Sequence, residues 1–337
     1  MIELQDDRLV ITFPEVHPRA RCTIDFQRTL RIPDDNREYP LPPGLGSFPL
    51  FHVDDYAERL PKPWQRHGGA FLPMHQAEAL WLNFSGNYPM AIKIAAGKIN
   101  AVTGDDWTNE LSVDPQDYVV LPDQPWLDGF CIGEGQVRQF VAMPLGQGYT
   151  AEEQLTGAAE HGGLQIVAYP MLASAYEEFR SRHAAPRVMF SRAPDVDFCR
   201  APGDDLSLEM DLGLAPGGLM RQKIYDDPHA FDVWDTSVRA RCFMHLLNSS
   251  QFQAVTGHPP PTQPPSARTY SDAGLPWFEL YGEDQKALQG ASKLAGLDSV
   301  AARALKQGHG PIADNEAVER PRVQGIRRTA SVRDGEF

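Results

Sequence analysis

Residues 118–157 read YVVLPDQPWLDGFCIGEGQVRQFVAMPLGQGYTAEEQLTG, and the punctuation of this stretch predicts three short strands. Residues 118–121 are a β-branched, apolar run that stops at Pro122. Asp123-Gln124-Pro125-Trp126 reads as a turn, because proline presets φ and has no N–H for a central ladder. Residues 127–132 and 136–143 follow as strands, joined through Gly133-Glu134-Gly135 as a hairpin. In the last of these Val137, Gln139 and Val141 share one face, and Arg138, Phe140 and Ala142 the other. Neither face is purely apolar, so the strand is not a simple core-in, water-out ribbon. After it, Thr150 with Glu153 three residues on has the form of a capping box that starts a helix.

Upstream, RLVITF (8–13) and CTIDFQRTL (22–30) are strand candidates, and YPLPPGLGSFPL (39–50) is turn and extended chain. Residues 56–60 suit one helical turn. Residues 74–81 suit a short helix, whereas WLNF (81–84) suits a strand, and local pattern does not decide between them. AIKIAAGKINAVT (91–103) reads as two strands turning at Ala96-Gly97. Downstream, His161-Gly162-Gly163 leads into a strand over LQIVAY, and residues 173–182 are helix-like. Leu206, Leu208, Met210, Leu212 and Leu214 alternate with polar residues, which predicts a half-buried strand with Glu209 and Asp211 on its solvent face. Ala215-Pro216-Gly217-Gly218 then predicts the turn of a hairpin. Residues 242–247 are apolar around His245, and Asn248 is placed to cap a helix. Two His-Gly-Gly sites, at 67–69 and 161–163, recur without any constant period around them.

These elements give a fold class that is mainly β (α+β), a sandwich or strongly bent sheet with a few short helices and proline-rich arms. The expected layout is a β-rich core over 1–258 with an internal boundary near 183–204. A proline-rich connector and C-terminal docking helices follow over 259–306, then a disordered tail over 307–337. The 337 residues suffice for a large core, and 29 prolines with 28 glycines favour many turns over long helices. A formal net charge of −14 argues against a nucleic-acid or anionic-membrane surface. Cys22, Cys131, Cys199 and Cys242 lack metal or disulfide spacing and read as buried free thiols. No run is long and apolar enough to span a bilayer, and MIELQDDRLV has no signal-peptide form. A cytoplasmic protein is expected.

The strings KINAVTGDDW, DYVVLPDQPWLDGF, VRQFVAMPLGQGYTAEEQLTG, HGGLQI, AVTG and AGLPWFELY resemble those of a family of uncharacterised bacterial and fungal proteins. The resemblance runs over residues 40–300 and implies neither an activity nor a cofactor. Some members carry a membrane-protein label, from which this sequence departs in having no spanning segment.

Chemistry is sparsely signalled. His52 with Asp54 and Asp55, His67 with His75, and Asp226-Asp227 with His229 match no metal motif, so neither a metal nor a cofactor is expected. His245 reads as a core histidine and Cys131 as a small buried hydrophobe. No G-x-S-x-G elbow or phosphate-cradling glycine loop is present. A polar cluster remains: Asp123, Asp128 and Arg138 as catalytic candidates, with Trp126, Gln124, Gln139, Lys93, Lys98 and Asn100 as ligand-binding candidates. It suits a structural ion-pair network or a ligand-orienting site. Trp277, Phe278 and Tyr281, after the proline-rich tether, form a docking segment for their own chain, a protein partner or a second copy. The expectation is a binding or assembly protein with a small-ligand pocket around 118–157. The alternative is an enzyme of hydrolase or isomerase type using Asp123 and Asp128 with Arg138.

Overall fold

The strand Gln136–Pro144 lies at the centre of the observed pairing. The structure, a computed structural model, describes residues 1–182, 209–281, 285–310, 312–319 and 322–327. Along one edge, Gln136–Pro144 takes the antiparallel strand Gly129–Gly133 and then Ala79–Ser85. Along the other it pairs with Asp211–Arg221 for its whole length. Gly133 faces Gln136, so the predicted hairpin is present. Both faces of the strand are covered: Phe140 and Ala142 join the main core, while Val141 and Met143 pack with Val300 and Ala304 of the helix Val300–Lys306. That double burial is why polar and apolar positions do not alternate cleanly along it.

Pairing spreads outward from this centre into one large, mostly antiparallel sheet, with a few short helices on it. Ala79–Ser85 pairs with Arg21–Thr29, which pairs in turn with Arg8–Thr12. On the other side Asp211–Arg221 meets Ala240–Asn248, then come Leu164–Pro170, Met90–Ala96 and Val119–Leu121. A flat sheet of this width could not bury one apolar face, and its strands bend around one main core. Ile24, Phe26, Leu82, Ile92, Phe130, Phe140 and Ile166 are all fully buried there. Trp277, Leu294, Leu297 and Val318 join the same core, so the segments after the proline-rich connector pack on the β-rich part.

Several local expectations hold. Thr150 and Glu153 form both bonds of the capping box that starts the helix Ala151–Thr156. Asn248 caps Ser249–Thr256 by accepting from the Ser250 N–H. The choice left open over residues 74–84 falls to strand at 79–85, because Leu80, Leu82 and Phe84 face the core with period 2. Cys22, Cys131 and Cys242 are buried free thiols, pushed up to about 12 by burial. Among the described residues no helix is long and apolar enough to cross a membrane.

The hairpin turn expected after the alternating run is absent. Ala215-Pro216-Gly217-Gly218 makes no hairpin turn: residues 211–221 are one continuous strand, and a register shift beside Arg138 and Phe140 absorbs the proline. The glycines serve close packing instead. A Cβ on Gly217 would lie 2.5 Å from Val141 Cγ2, and one on Gly218 would lie 2.5 Å from the Pro33 carbonyl oxygen. The boundary placed near 183–204, Leu206, Leu208 and Cys199 lie outside the described residues. Within the stretch read as a tail, Val323–Arg327 pairs in parallel with Trp277–Tyr281.

Candidate ligand-binding cleft

The polar cluster singled out in the sequence is distributed through the fold as separate structural contacts. Gln139 is fully buried, donates to the Leu30 carbonyl (2.8 Å) and accepts from the Ile32 N–H (2.9 Å). Its amide thus stands in for a missing strand neighbour. Gln124 donates to the Trp126 carbonyl (2.9 Å) and accepts from the Tyr225 N–H (3.0 Å). Asp128 accepts from Gln222 Nε2 at 2.5 Å, and burial pushes its carboxyl up to about 7 against that hydrogen bond. Arg138 donates to the Gly217 carbonyl (3.1 Å) and lies 3.7 Å from Asp34. Asp128 and Arg138 therefore have different partners. Asp123 lies 3.5 Å from Gln285 Nε2.

Lys93 and Asn100 come together on Asp117. Lys93 Nζ is 2.5 Å from the Asp117 carboxylate and also donates to Thr108 Oγ1 and the Glu110 carbonyl. Asn100 donates to the Asp117 carbonyl and accepts from the Val102 and Thr103 N–H groups. Lys98 sits apart, partly exposed and paired with Glu160. Trp277 is fully buried against Tyr39 and Tyr270, and Phe278 exchanges two backbone hydrogen bonds with Leu41. The docking segment thus docks on its own chain.

A different set of residues converges around the strand Ala240–Asn248. At Met244 this strand is flanked on one edge by Ala70 and on the other by Leu164, the first residues of their strands. Each of those strands is entered through a His-Gly-Gly. A Cβ on Gly69 would lie 2.2 Å from the Phe243 carbonyl oxygen, and one on Gly163 would lie 2.4 Å from that of Met244. Both glycines also have positive φ, at 85° and 77°, so a close approach and a left-handed backbone coincide at each. The two histidines that precede them consequently meet, with ring centroids 5.1 Å apart.

His67 packs on Phe243 at 4.6 Å, and His245 stacks on Trp64 at 4.4 Å. Trp64, from the short helix Lys62–His67, donates its indole N–H to Asp211 Oδ2 at 3.0 Å. Trp64, His67, His161, Asp211, Phe243 and His245 line a cleft of about 160 Å³ together with Glu160 and Gly162. That is smaller than the roughly 300–1,000 Å³ of drug-sized pockets, so the cleft suits a small ligand.

Burial sets the electrostatics. His245 is pushed down to about 4 by desolvation, with the Gly68 carbonyl opposing. His67 is lowered by burial and by Arg66 and Arg241, and His161 by burial, Lys98 and His67. All three imidazoles are therefore neutral at pH 7. His245 Nε2 lies 3.1 Å from the Gly68 carbonyl, which can only accept, so Nε2 carries the hydrogen. Asp211 is pushed up to about 6 by burial, with the Trp64 indole opposing, and is mostly ionised at pH 7. Glu152, beside His161, is pushed up to about 7 by burial.

Asp211 Oδ1, His161 Nδ1 and Glu152 Oε1 are buried atoms without a hydrogen-bond partner. Glu152 Oε1 is 3.7 Å from His161 Nδ1. Among the described lining residues there is no lysine or arginine, while Arg241 stacks on Phe243 and Lys98 pairs with Glu160 at the border. Among the described residues no group of three His, Cys, Asp or Glu side chains is arranged to hold a metal ion. No family model, curated protein or solved structure matches this chain.

The pattern of the sequence points away from this cleft. Asp211 falls on the polar side of an alternating run and reads as solvated, yet it is half-buried, with Oδ1 covered and Oδ2 accepting from the Trp64 indole. His245 reads as core packing, and it does stack on Trp64 while also lining the cleft. The usable signal was the repeated His-Gly-Gly, whose two copies flank a third histidine only once the strands pair.

Proposed function

We propose that this chain is a binding protein for a small organic cation, an amine held in the cleft at Asp211. The observation that carries the reading is a half-buried, mostly ionised carboxylate whose covered Oδ1 has no hydrogen-bond partner, set among aromatic and uncharged imidazole rings with no lysine or arginine among the described lining residues. An isolated buried carboxylate is unfavourable, and an ammonium group supplies both the opposite charge and the missing hydrogen. Leu145, at the end of the central strand, is part of the lining, so the pocket borders the 118–157 stretch.

The hydrolase or isomerase reading has less support, because Asp128 and Arg138 are each engaged elsewhere in the fold. The assembly reading has less support as well, since Trp277 is spent within its own chain. Calorimetric titration at pH 7.5 with small primary amines, their alcohol analogues and the corresponding carboxylic acids tests the proposal. Amines are expected to bind and the other two sets not, with binding lost in Asp211→Asn. Equal binding of the alcohols, or amine binding that survives Asp211→Asn in a folded variant, would overturn it.

A further inference from the structure

The solvent side of the sheet carries a second constellation, unrelated to the cleft. Arg8, Asp25, Asn83 and Trp126 stand opposite one another across four strands, forming one row. Ser47, Gln27 and Trp81 form the neighbouring row. Residues paired across strands project to the same face, and the alternate positions Ile24, Phe26 and Leu82 are buried in the core. Both rows therefore lie on the outer face.

On this face Trp81 and Trp126 meet edge to face at 6.1 Å, both half-buried. Gln27 donates to Asp25 Oδ2 (2.5 Å) and to Ser47 Oγ (3.0 Å), which orients the carboxylate. Asp25 is 6% exposed, and its Oδ1 has no hydrogen-bond partner. The indole nitrogen of Trp81 is likewise buried and unpartnered. An unsatisfied acceptor and an unsatisfied donor thus belong to residues in adjacent rows, and such groups are normally paired.

We infer that this face binds a saccharide. A pyranose ring offers a C–H face that packs on indole and hydroxyls that both donate and accept. It can therefore satisfy Asp25 Oδ1 and Trp81 Nε1 together while reaching the Asn83 amide. The face lacks the clustered positive charge a nucleic acid requires, and two rows that hold Arg, Asp, Asn, Ser and Gln are too polar for the centre of a typical protein interface. Both unpartnered atoms are covered in the chain as it stands, so binding must move an indole ring. That movement supplies the readout.

The test is a printed array of neutral and acidic glycans probed with the labelled full-length chain. A binding oligosaccharide is then titrated in solution against tryptophan fluorescence. Wild type is compared with Trp126→Ala, Asn83→Ala and, as a control for the cleft, Asp211→Asn. The expected result is a saturable fluorescence change weakened by about tenfold or more in Trp126→Ala and Asn83→Ala, equivalent to about 1.4 kcal/mol, and retained in Asp211→Asn. Asn83→Ala decides the matter if Trp126→Ala fails to fold. Absence of any glycan signal, or binding untouched by Asn83→Ala, would overturn the assignment. Neither result bears on the amine cleft.

Discussion

Replacing Asp211 with asparagine tests whether the cleft carboxylate is held against its own solvation. Burial raises this group from 3.8 to about 6. A raised carboxyl pKa means that the folded chain holds a proton the unfolded chain has already released. The contribution of this group to stability is therefore greatest below pH 3.8, falls as pH rises from there to about 6, and is level above that. Each pK unit corresponds to roughly 1.4 kcal/mol, so the full loss is about 3 kcal/mol, of which about 1 kcal/mol has accrued by pH 4.5. Asparagine does not titrate. The difference in unfolding free energy between Asp211→Asn and wild type should shift in favour of the variant by about 2 kcal/mol between pH 4.5 and 7.5. Taking this difference removes the titrations of Asp128, Glu152 and His245, which both proteins share. Urea unfolding at the two pH values, monitored by circular dichroism, measures it. A difference that does not change with pH would refute the reasoning, because it would mean that Asp211 is solvated or already paired. A saturating amine that binds the cleft should reduce the wild-type penalty at pH 7.5.

Gln139→Leu should lower unfolding free energy by about 2–4 kcal/mol, since it strands the Leu30 carbonyl and the Ile32 N–H in the core; urea unfolding gives the value, and a loss under 1 kcal/mol would show that those groups find other partners. Gly69→Ala and Gly163→Ala should each cost well over the ~1 kcal/mol expected from conformational strain alone, because the new Cβ meets a backbone carbonyl at 2.2 or 2.4 Å. Gly157→Ala is the control, having φ of +75° and open space around it, and equal melting temperatures for all three variants would contradict the packing argument. Lys93→Met should destabilise by about 3–5 kcal/mol by leaving Asp117 buried without its cation. Adding Asp117→Asn should recover part of that loss in thermal melts, and additive losses would argue against the pair.

Short-range chemistry was legible in the sequence to the extent that it is short-range. The capping box at Thr150 and Glu153, the Asn248 cap, and the turns at Ala96-Gly97 and Gly133–Gly135 each involve residues a few positions apart. No distant partner is needed to read them. Where local signals conflicted, pairing decided. Residues 79–85 became strand because Arg21–Thr29 and Gln136–Pro144 lie on either edge. Pro216-Gly217-Gly218 lost its turn because residues 211–221 pair along the whole of Gln136–Pro144.

The candidate sites lie further from what sequence alone could supply. Desolvation raises the Asp211 carboxyl, and Trp64, whose side chain donates to it, lies 147 positions away in the chain. Gln139 becomes a backbone surrogate only once residues 30–32 pass beside it. His67 and His161 meet because two strands flank Met244, and Trp81 and Trp126 meet because Asn83 stands opposite Trp126. Composition and local pattern by themselves determined a mainly β chain, the positions of many of its turns and caps, and buried free thiols. Which polar groups are left unpaired, and beside what, was decided by contacts between residues from dozens to more than a hundred positions apart, because desolvation depends on everything that closes over a group and not on its neighbours in the chain.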